Sequence, residues 1–169
     1  MKFSLGVLIF ALSLASGGLA EENPSYGLQR GSFGVNVAGG AQFRVGSHPT
    51  ITGGIDVGLH KYVGLYADLT GVLAYSASAG EFFGGGGIIA TANNRSRIVP
   101  FAKFGPDFVR ATVFGYRGRD YLAVRYGGGF DAYVTRHFGI ETQVFGDRLV
   151  YNSSVNLPYV TFGVFYRTR

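Results

Sequence analysis

Two aspartate-centred repeats stand out among the residues that could do chemistry. Residues 53–71 read GGIDVGLHKYVGLYADLTG and residues 128–146 read GGFDAYVTRHFGIETQVFG. Superposed, Gly54, Asp56, Lys61 and Gly64 fall on Gly129, Asp131, Arg136 and Gly139, an offset of 75 residues. Each unit holds a carboxylate and, five positions on, a cation in a turn. Charges so placed suit an ion pair that fixes a hairpin in register, and removing one partner of a buried pair costs several kcal/mol. Asp68, Asp107, Glu141 and Asp147 add acids and Arg44, Lys103 and Arg125 add bases, each alone in the sequence.

Nucleophilic catalysis needs a nucleophile and a base together. The three histidines are His48, His60 and His137. Ser47 adjoins His48, but neighbours along a strand point to opposite faces. His60 and His137 occupy matching turns, where a polar residue is ordinary. Asn152-Ser153-Ser154 has no histidine beside it. There is no Cys, hence no CxxC, and no HExxH; these absences remove the simplest metal and disulfide signals. The reading is a non-enzyme with no metal or cofactor.

The elements that must position these residues follow a period of two. Eight strands are expected, near 33–44, 51–59, 62–75, 82–92, 98–109, 122–134, 138–149 and 159–167. In the third, Val63, Leu65, Ala67, Leu69, Gly71 and Leu73 alternate with Tyr62, Gly64, Tyr66, Asp68 and Thr70. Only in 82–92 (FFGGGGIIATA) is the facing ambiguous. The connections around His60-Lys61, Asn93 to Arg97 and Thr135-Arg136 read as tight turns. Those at Val45 to Pro49, Ser76 to Glu81, Thr112 to Tyr121 and Val150 to Pro158 read as mostly longer.

Composition bounds the class. The first twenty residues read as a secretory signal: Lys2, an apolar run from Phe3 to Ala15, and the small-x-small site Gly18-Leu19-Ala20. The organisation expected is 1–20 signal peptide, 21–32 periplasmic N-terminal segment and 33–169 barrel. Glycine supplies 28 of 169 residues, but 47% of the chain is hydrophobic, which disorder does not accommodate. The net charge of +5 is spread singly, without the basic stripe of a nucleic-acid binder.

Alternation alone fits a soluble lipocalin-like barrel binding an apolar ligand as well as a membrane barrel, since the two differ in which face is wet. Charge is only 15% of the chain, low for a solvated face. Strands of about ten residues match a tilted membrane crossing. Tyr62, Tyr75, Tyr121, Tyr159 and Tyr166 recur near strand ends, as an interfacial girdle requires. The expectation is an all-β, eight-stranded, antiparallel up-and-down transmembrane β-barrel, with Val35, Ile55, Leu65, Phe130 and Val164 facing lipid.

The eight strands, Gly-Phe-Asp-Ala-Tyr-Val-Thr-Arg-His-Phe-Gly-Ile-Glu (129–141) and Pro-Phe-Ala-Lys-Phe-Gly-Pro (100–106) resemble the OmpX/OmpA-type outer-membrane β-barrel domain of Gram-negative bacteria. The resemblance covers nearly all of the chain after residue 20. It implies the outer membrane as location, lipid and lipopolysaccharide as surroundings, the barrel assembly machinery as a partner, and a monomer. Members typically end on a Phe; here the alternation through Val160, Phe162, Val164 and Tyr166 is followed by Arg167-Thr168-Arg169. Some eight-stranded outer-membrane barrels modify lipid A, which is the enzymatic alternative.

An eight-stranded barrel is just wide enough for its interior side chains to fill it. The polar face therefore predicts a lumen ion-pair network of Arg44, Asp56, Asp68, Lys103, Asp107, Arg125, Asp131, Glu141 and Asp147, without a continuous pore. In the Thr112–Tyr121 connection, Tyr116, Arg117, Arg119 and Tyr121 are the candidate contacts for adhesion or lipopolysaccharide, because arginine suits phosphate.

Overall fold

A computed structural model describes residues 26–43, 47–73, 79–93, 95–113, 119–151 and 156–168. The strands are β1 (Phe33–Phe43), β2 (Ser47–His60), β3 (Val63–Val72), β4 (Ala79–Thr91), β5 (Ile98–Val113), β6 (Arg119–Tyr133), β7 (Phe138–Leu149) and β8 (Asn156–Arg167). Each pairs antiparallel with its sequence neighbours. β8 returns to β1, with Val37 opposite Val164 and Gly39 opposite Phe162, so the sheet closes into a barrel without a free edge. Closure gives every strand two hydrogen-bonded neighbours, the condition for crossing hydrocarbon with strands.

Alternation sets the facing. Along β3, exposed Val63, Leu65, Ala67 and Leu69 alternate with buried Gly64, Tyr66, Asp68 and Thr70. Val35, Ile55, Leu65, Phe130 and Val164 are all 40–48% exposed on the outer wall. A lipocalin-like calyx needs that set inside; the barrel turns it outward, against the soluble alternative. In β4 the ambiguity resolves with Phe83, Ile89 and Thr91 inward and Phe82, Ile88 and Ala90 outward.

One end carries the connections of 61–62, 92–97 and 134–137 together with both ends of the barrel chain; we call it the turn end. There Thr135 Oγ1 accepts the N–H groups of Phe138 (3.0 Å) and His137 (3.3 Å), and Thr168 N–H donates to the Phe33 carbonyl at 2.8 Å. Three of the four opposite connections are shorter than the sequence suggests. β2 begins at Ser47, and β5 and β6 run to 16 and 15 residues, leaving only 114–118 between them. Polar residues at the tip of this hairpin stay in the ladder, as with Arg110 opposite Asp120, because backbone pairing does not require an apolar side chain.

This lengthening corrects the assignment of Tyr121 to an outer loop. Tyr121 lies on β6, partly buried against Val72, Phe83, Val109, Ala123 and Leu157 inside the barrel. Tyr159 is likewise interior, 2% exposed. Of the expected tyrosine girdle, Tyr62 and Tyr166 do face outward, and Tyr75 lies outside the described residues.

Residues 26–32 stay with the barrel. They fold into the turn end. Gly27 and Gly31 take left-handed backbone angles, φ +106° and +80°, which glycine adopts without the Cβ penalty. Ser32 Oγ donates to the Gln29 carbonyl at 2.7 Å, and Gly31 N–H donates to the Gly58 carbonyl at 2.8 Å. The bend delivers Leu28, fully buried, among Tyr66, Ile89, Phe101, Phe145 and Tyr159, a burial contributing about 1.5–3 kcal/mol. The Asn93 side-chain amide donates to the Leu28 carbonyl.

Candidate functional site

The lumen is the site, and charged and aromatic side chains line it. The buried charged side chains among the described residues are Asp56, Asp68, Lys103, Asp107, Arg125, Asp131, Glu141, Asp147 and Arg167. Eight of them fall into two groups, separated along the axis, and Glu141 belongs to neither.

The first group centres on Arg125 of β6, fully buried. Its Nε and Nη2 donate to the two carboxylate oxygens of Asp147 on β7 at 2.9 and 3.1 Å. Asp107 of β5 approaches Nη2 to 2.5 Å, and Asp68 of β3 stands 3.8 Å from Nη1. Lys103 of β5 donates to both oxygens of the same Asp68, at 3.0 and 3.3 Å. Asp68 has room because its cross-strand neighbour is glycine. A Cβ on Gly54 would lie 2.1 Å from Asp68 Oδ1. Glu141 lies apart from these ion pairs and accepts from Asn36 Nδ2 at 2.8 Å and from the Gln143 amide.

The second group answers what the repeat is for. Asp56 and Asp131 sit on β2 and β6, four places apart in a ring of eight and so on opposite walls. Arg167 of β8 reaches both. Nε and Nη2 grip Asp56, each at 3.0 Å, while Nη1 donates to Asp131 at 2.9 Å and to the Tyr133 hydroxyl at 2.6 Å. The turn cations expected to pair with these aspartates, Lys61 and Arg136, are exposed. That expectation is corrected: the turn carries its cation out of the lumen, and the pairing falls to Arg167. Its inward position was concealed because the apolar alternation ends at Tyr166. Arg167 is nonetheless the next residue of the same strand and takes the opposite face, 3% exposed.

The space between charges is filled by rings, not only by the polar residues that the sequence suggests. Tyr66, Phe101, Phe145, Tyr159 and Phe165 are interior. Lys103 Nζ lies 5.0 Å from the Tyr66 ring centre, the Arg125 guanidinium 5.4 Å from Tyr159 and that of Arg167 5.2 Å from Phe165. Each lumen cation thus meets an aromatic face, an attraction that strengthens as water is excluded. Arg44 lies outside the described residues.

At the end opposite the turns, Arg110 and Asp120 form an exposed paired clasp, Nε to Oδ1 at 2.7 Å and Nη2 to Oδ2 at 2.9 Å. The bonds from Arg110 hold the Asp120 carboxyl below the usual carboxylate range. Of the loop candidates, Arg119 opens β6, while Tyr116 and Arg117 lie outside the described residues. His60 and His137 sit on the turns, His137 Nδ1 lying 3.1 Å from the Arg167 carbonyl oxygen.

No protein-family model and no curated protein sequence matches the chain. Solved structures do. The N-terminal β-barrel domain of OprF from Pseudomonas aeruginosa aligns over 83% of this chain and 98% of its own, with a TM-score of 0.70 and 14% identity. Neisserial surface protein A aligns over 83% and 99%, with a TM-score of 0.65 and 12% identity. This is the fold of the OmpA/OmpX-type eight-stranded outer-membrane barrels. OprG from Pseudomonas aeruginosa shares it at a TM-score of 0.62 and 10% identity, over 85% of this chain and 98% of that one. Among the described residues, charges and rings occupy the mid-height interior of this outer-membrane-type barrel.

Proposed function

We propose that this chain is an integral outer-membrane barrel with a filled lumen, whose role is structural or one of surface contact. The carrying observation is the inverted exterior. Val37, Ile51, Leu69, Ile88, Phe104 and Phe162 are each more than half exposed on a closed wall, while Asp68, Arg125 and Asp147 are sealed inside. Such a wall belongs in hydrocarbon. The turn end faces the periplasm, and the β5–β6 hairpin projects outward. In the sequence, Arg110, Arg117 and Arg119 fall within ten residues of one another around that hairpin. They suit the phosphates of lipopolysaccharide or another anionic surface. A similar barrel, Ail of Yersinia pestis, which aligns over 81% of this chain at 13% identity, has been solved with the heparin analogue sucrose octasulfate, which supports anion contact as a role open to this fold.

The absence of Cys makes the test direct. Tyr151→Cys, at a position 92% exposed, is expected to react with a bulky impermeant maleimide in intact cells. Lys61→Cys is expected to react only after the outer membrane is opened. Labelling of both in intact cells sinks the orientation, and recovery of the protein in the soluble periplasmic fraction sinks the membrane assignment.

A further inference from the structure

The turn end carries a charge pattern that neither the lumen nor the outer hairpin explains. Arg30, Lys61, Arg95, Arg97 and Arg136 are all exposed there. Among the described residues no carboxylate is exposed at that end, because Asp56 and Asp131, the acids nearest to it, are turned inward onto Arg167. The cations are not gathered into one patch. They occupy the N-terminal segment and each of the three turns, so they ring the barrel.

Their height is as regular as their spread. Lys61 precedes Tyr62 and Val63, 37% and 39% exposed; Arg97 precedes Ile98, 55% exposed. Arg136 stands between Val134 and Phe138, 55% and 42% exposed. Lys61, Arg97 and Arg136 thus begin within a residue or two of where the apolar wall stops. Lys61 Nζ rests 4.7 Å from the Tyr62 ring centre, so even its stem follows the edge of the wall. Long basic side chains placed there set their heads at the phosphate layer while their stems stay with the acyl chains.

From this we propose that the ring is a collar for anionic phospholipids, binding headgroup phosphates of the leaflet that surrounds the turn end. The inference rests on the membrane reading and extends it to a lipid preference. A soluble polyanion is the poorer fit: it would touch one side of the ring, whereas surrounding lipids reach all of it.

The test uses the barrel without its first twenty residues, reconstituted in nanodiscs of equimolar phosphatidylcholine and phosphatidylglycerol, with retained lipids identified by mass spectrometry. The ratio of phosphatidylglycerol to phosphatidylcholine in the retained lipid is expected to rise about two- to fivefold over bulk, since each basic residue near an anionic surface contributes on that scale, and to fall toward bulk as salt screens the charges. Combining Lys61→Gln, Arg97→Gln and Arg136→Gln is expected to abolish the enrichment, while Arg148→Gln, at the opposite end, leaves it. A bulk composition around the parent barrel, or enrichment unchanged in the triple variant, overturns the collar. Should the triple variant fail to fold, Arg136→Gln alone and the salt titration of the parent decide the matter. If heparin binding to the detergent-solubilised barrel is lost in the triple variant while the parent's lipid shell stays at bulk composition, the ligand is a polymer and the lipid assignment falls. Failure to insert into neutral vesicles is a separate result: it removes the membrane reading itself, and the collar with it.

Discussion

Arg167 grips Asp56 side-on, with two bonds of 3.0 Å running from β8 to β2 inside the barrel. The third guanidinium nitrogen takes Asp131 from the opposite wall. One side chain therefore ties three strands at the level where the barrel closes, and the sequence repeat supplies the two anions that meet there. Arg167→Ala strands both buried carboxylates, and breaking such a pair costs about 3–5 kcal/mol. The expected result is a lower urea midpoint and earlier loss of the compact form on unheated gels. Adding Asp56→Asn and Asp131→Asn to that variant removes the stranded charges and is expected to recover part of the loss. An unchanged midpoint for Arg167→Ala denies the tie its role.

Gly54 gives the second prediction. A Cβ there meets Asp68 Oδ1 at 2.1 Å and Asn36 Oδ1 at 2.6 Å, whereas one on Gly71 meets only Ile51 Cγ2 at 3.8 Å. Overpacking of this kind costs about 1–3 kcal/mol. Gly54→Ala is expected to destabilise the barrel by that amount in urea titrations while Gly71→Ala does not. Equal midpoints for the two variants contradict the crowding.

What the sequence made legible was whatever alternation encodes. Val63 through Leu69 declare their facing by period alone, and so does Asp68 among them. What escaped was information held by cross-barrel distance. Asp56 sits five residues before Lys61, and nothing local says that its partner is 111 residues away on the strand that closes the barrel. Leu28 escaped for a related reason. It lies ahead of the first strand in a segment of turn-forming residues, and only the closed end of the barrel offers it an apolar site. Tyr121 was misplaced because loop and strand were separated by polarity, while the β5–β6 ladder continues through polar residues.

The Arg110–Asp120 clasp predicts a pH response at the tip of that hairpin. Bonds to Arg110 lower the Asp120 carboxyl in the folded protein. A group so depressed contributes stability above its unfolded pKa, and that contribution disappears as pH falls through the folded value. Amide protection near residues 110 and 120 is therefore expected to hold at neutral pH and to fade only below the ordinary carboxylate range. The pair is 55% and 43% exposed, so high salt is expected to weaken it. Asp120→Asn abolishes the pH step; a step that survives in that variant belongs to another group.

Leu28 separates two ways of closing the lumen. If residues 26–32 were the only seal, releasing them would open a channel. The ion pairs of Arg125 with Asp107 and Asp147 draw no member from that segment: all three side chains are at most 2% exposed, and Arg125 is bonded to its neighbour strand. Leu28→Ser removes an apolar side chain from a fully buried site and leaves a hydroxyl in its place. It is expected to loosen the segment, so that trypsin cuts after the exposed Arg30 more rapidly than in the parent. The same variant and its parent are both expected to stay silent in planar bilayers, because the charged layer above is untouched. Conductance steps from the parent rule out a filled lumen. Steps from Leu28→Ser alone, with a silent parent, make the N-terminal segment the seal and the interior charges a lining.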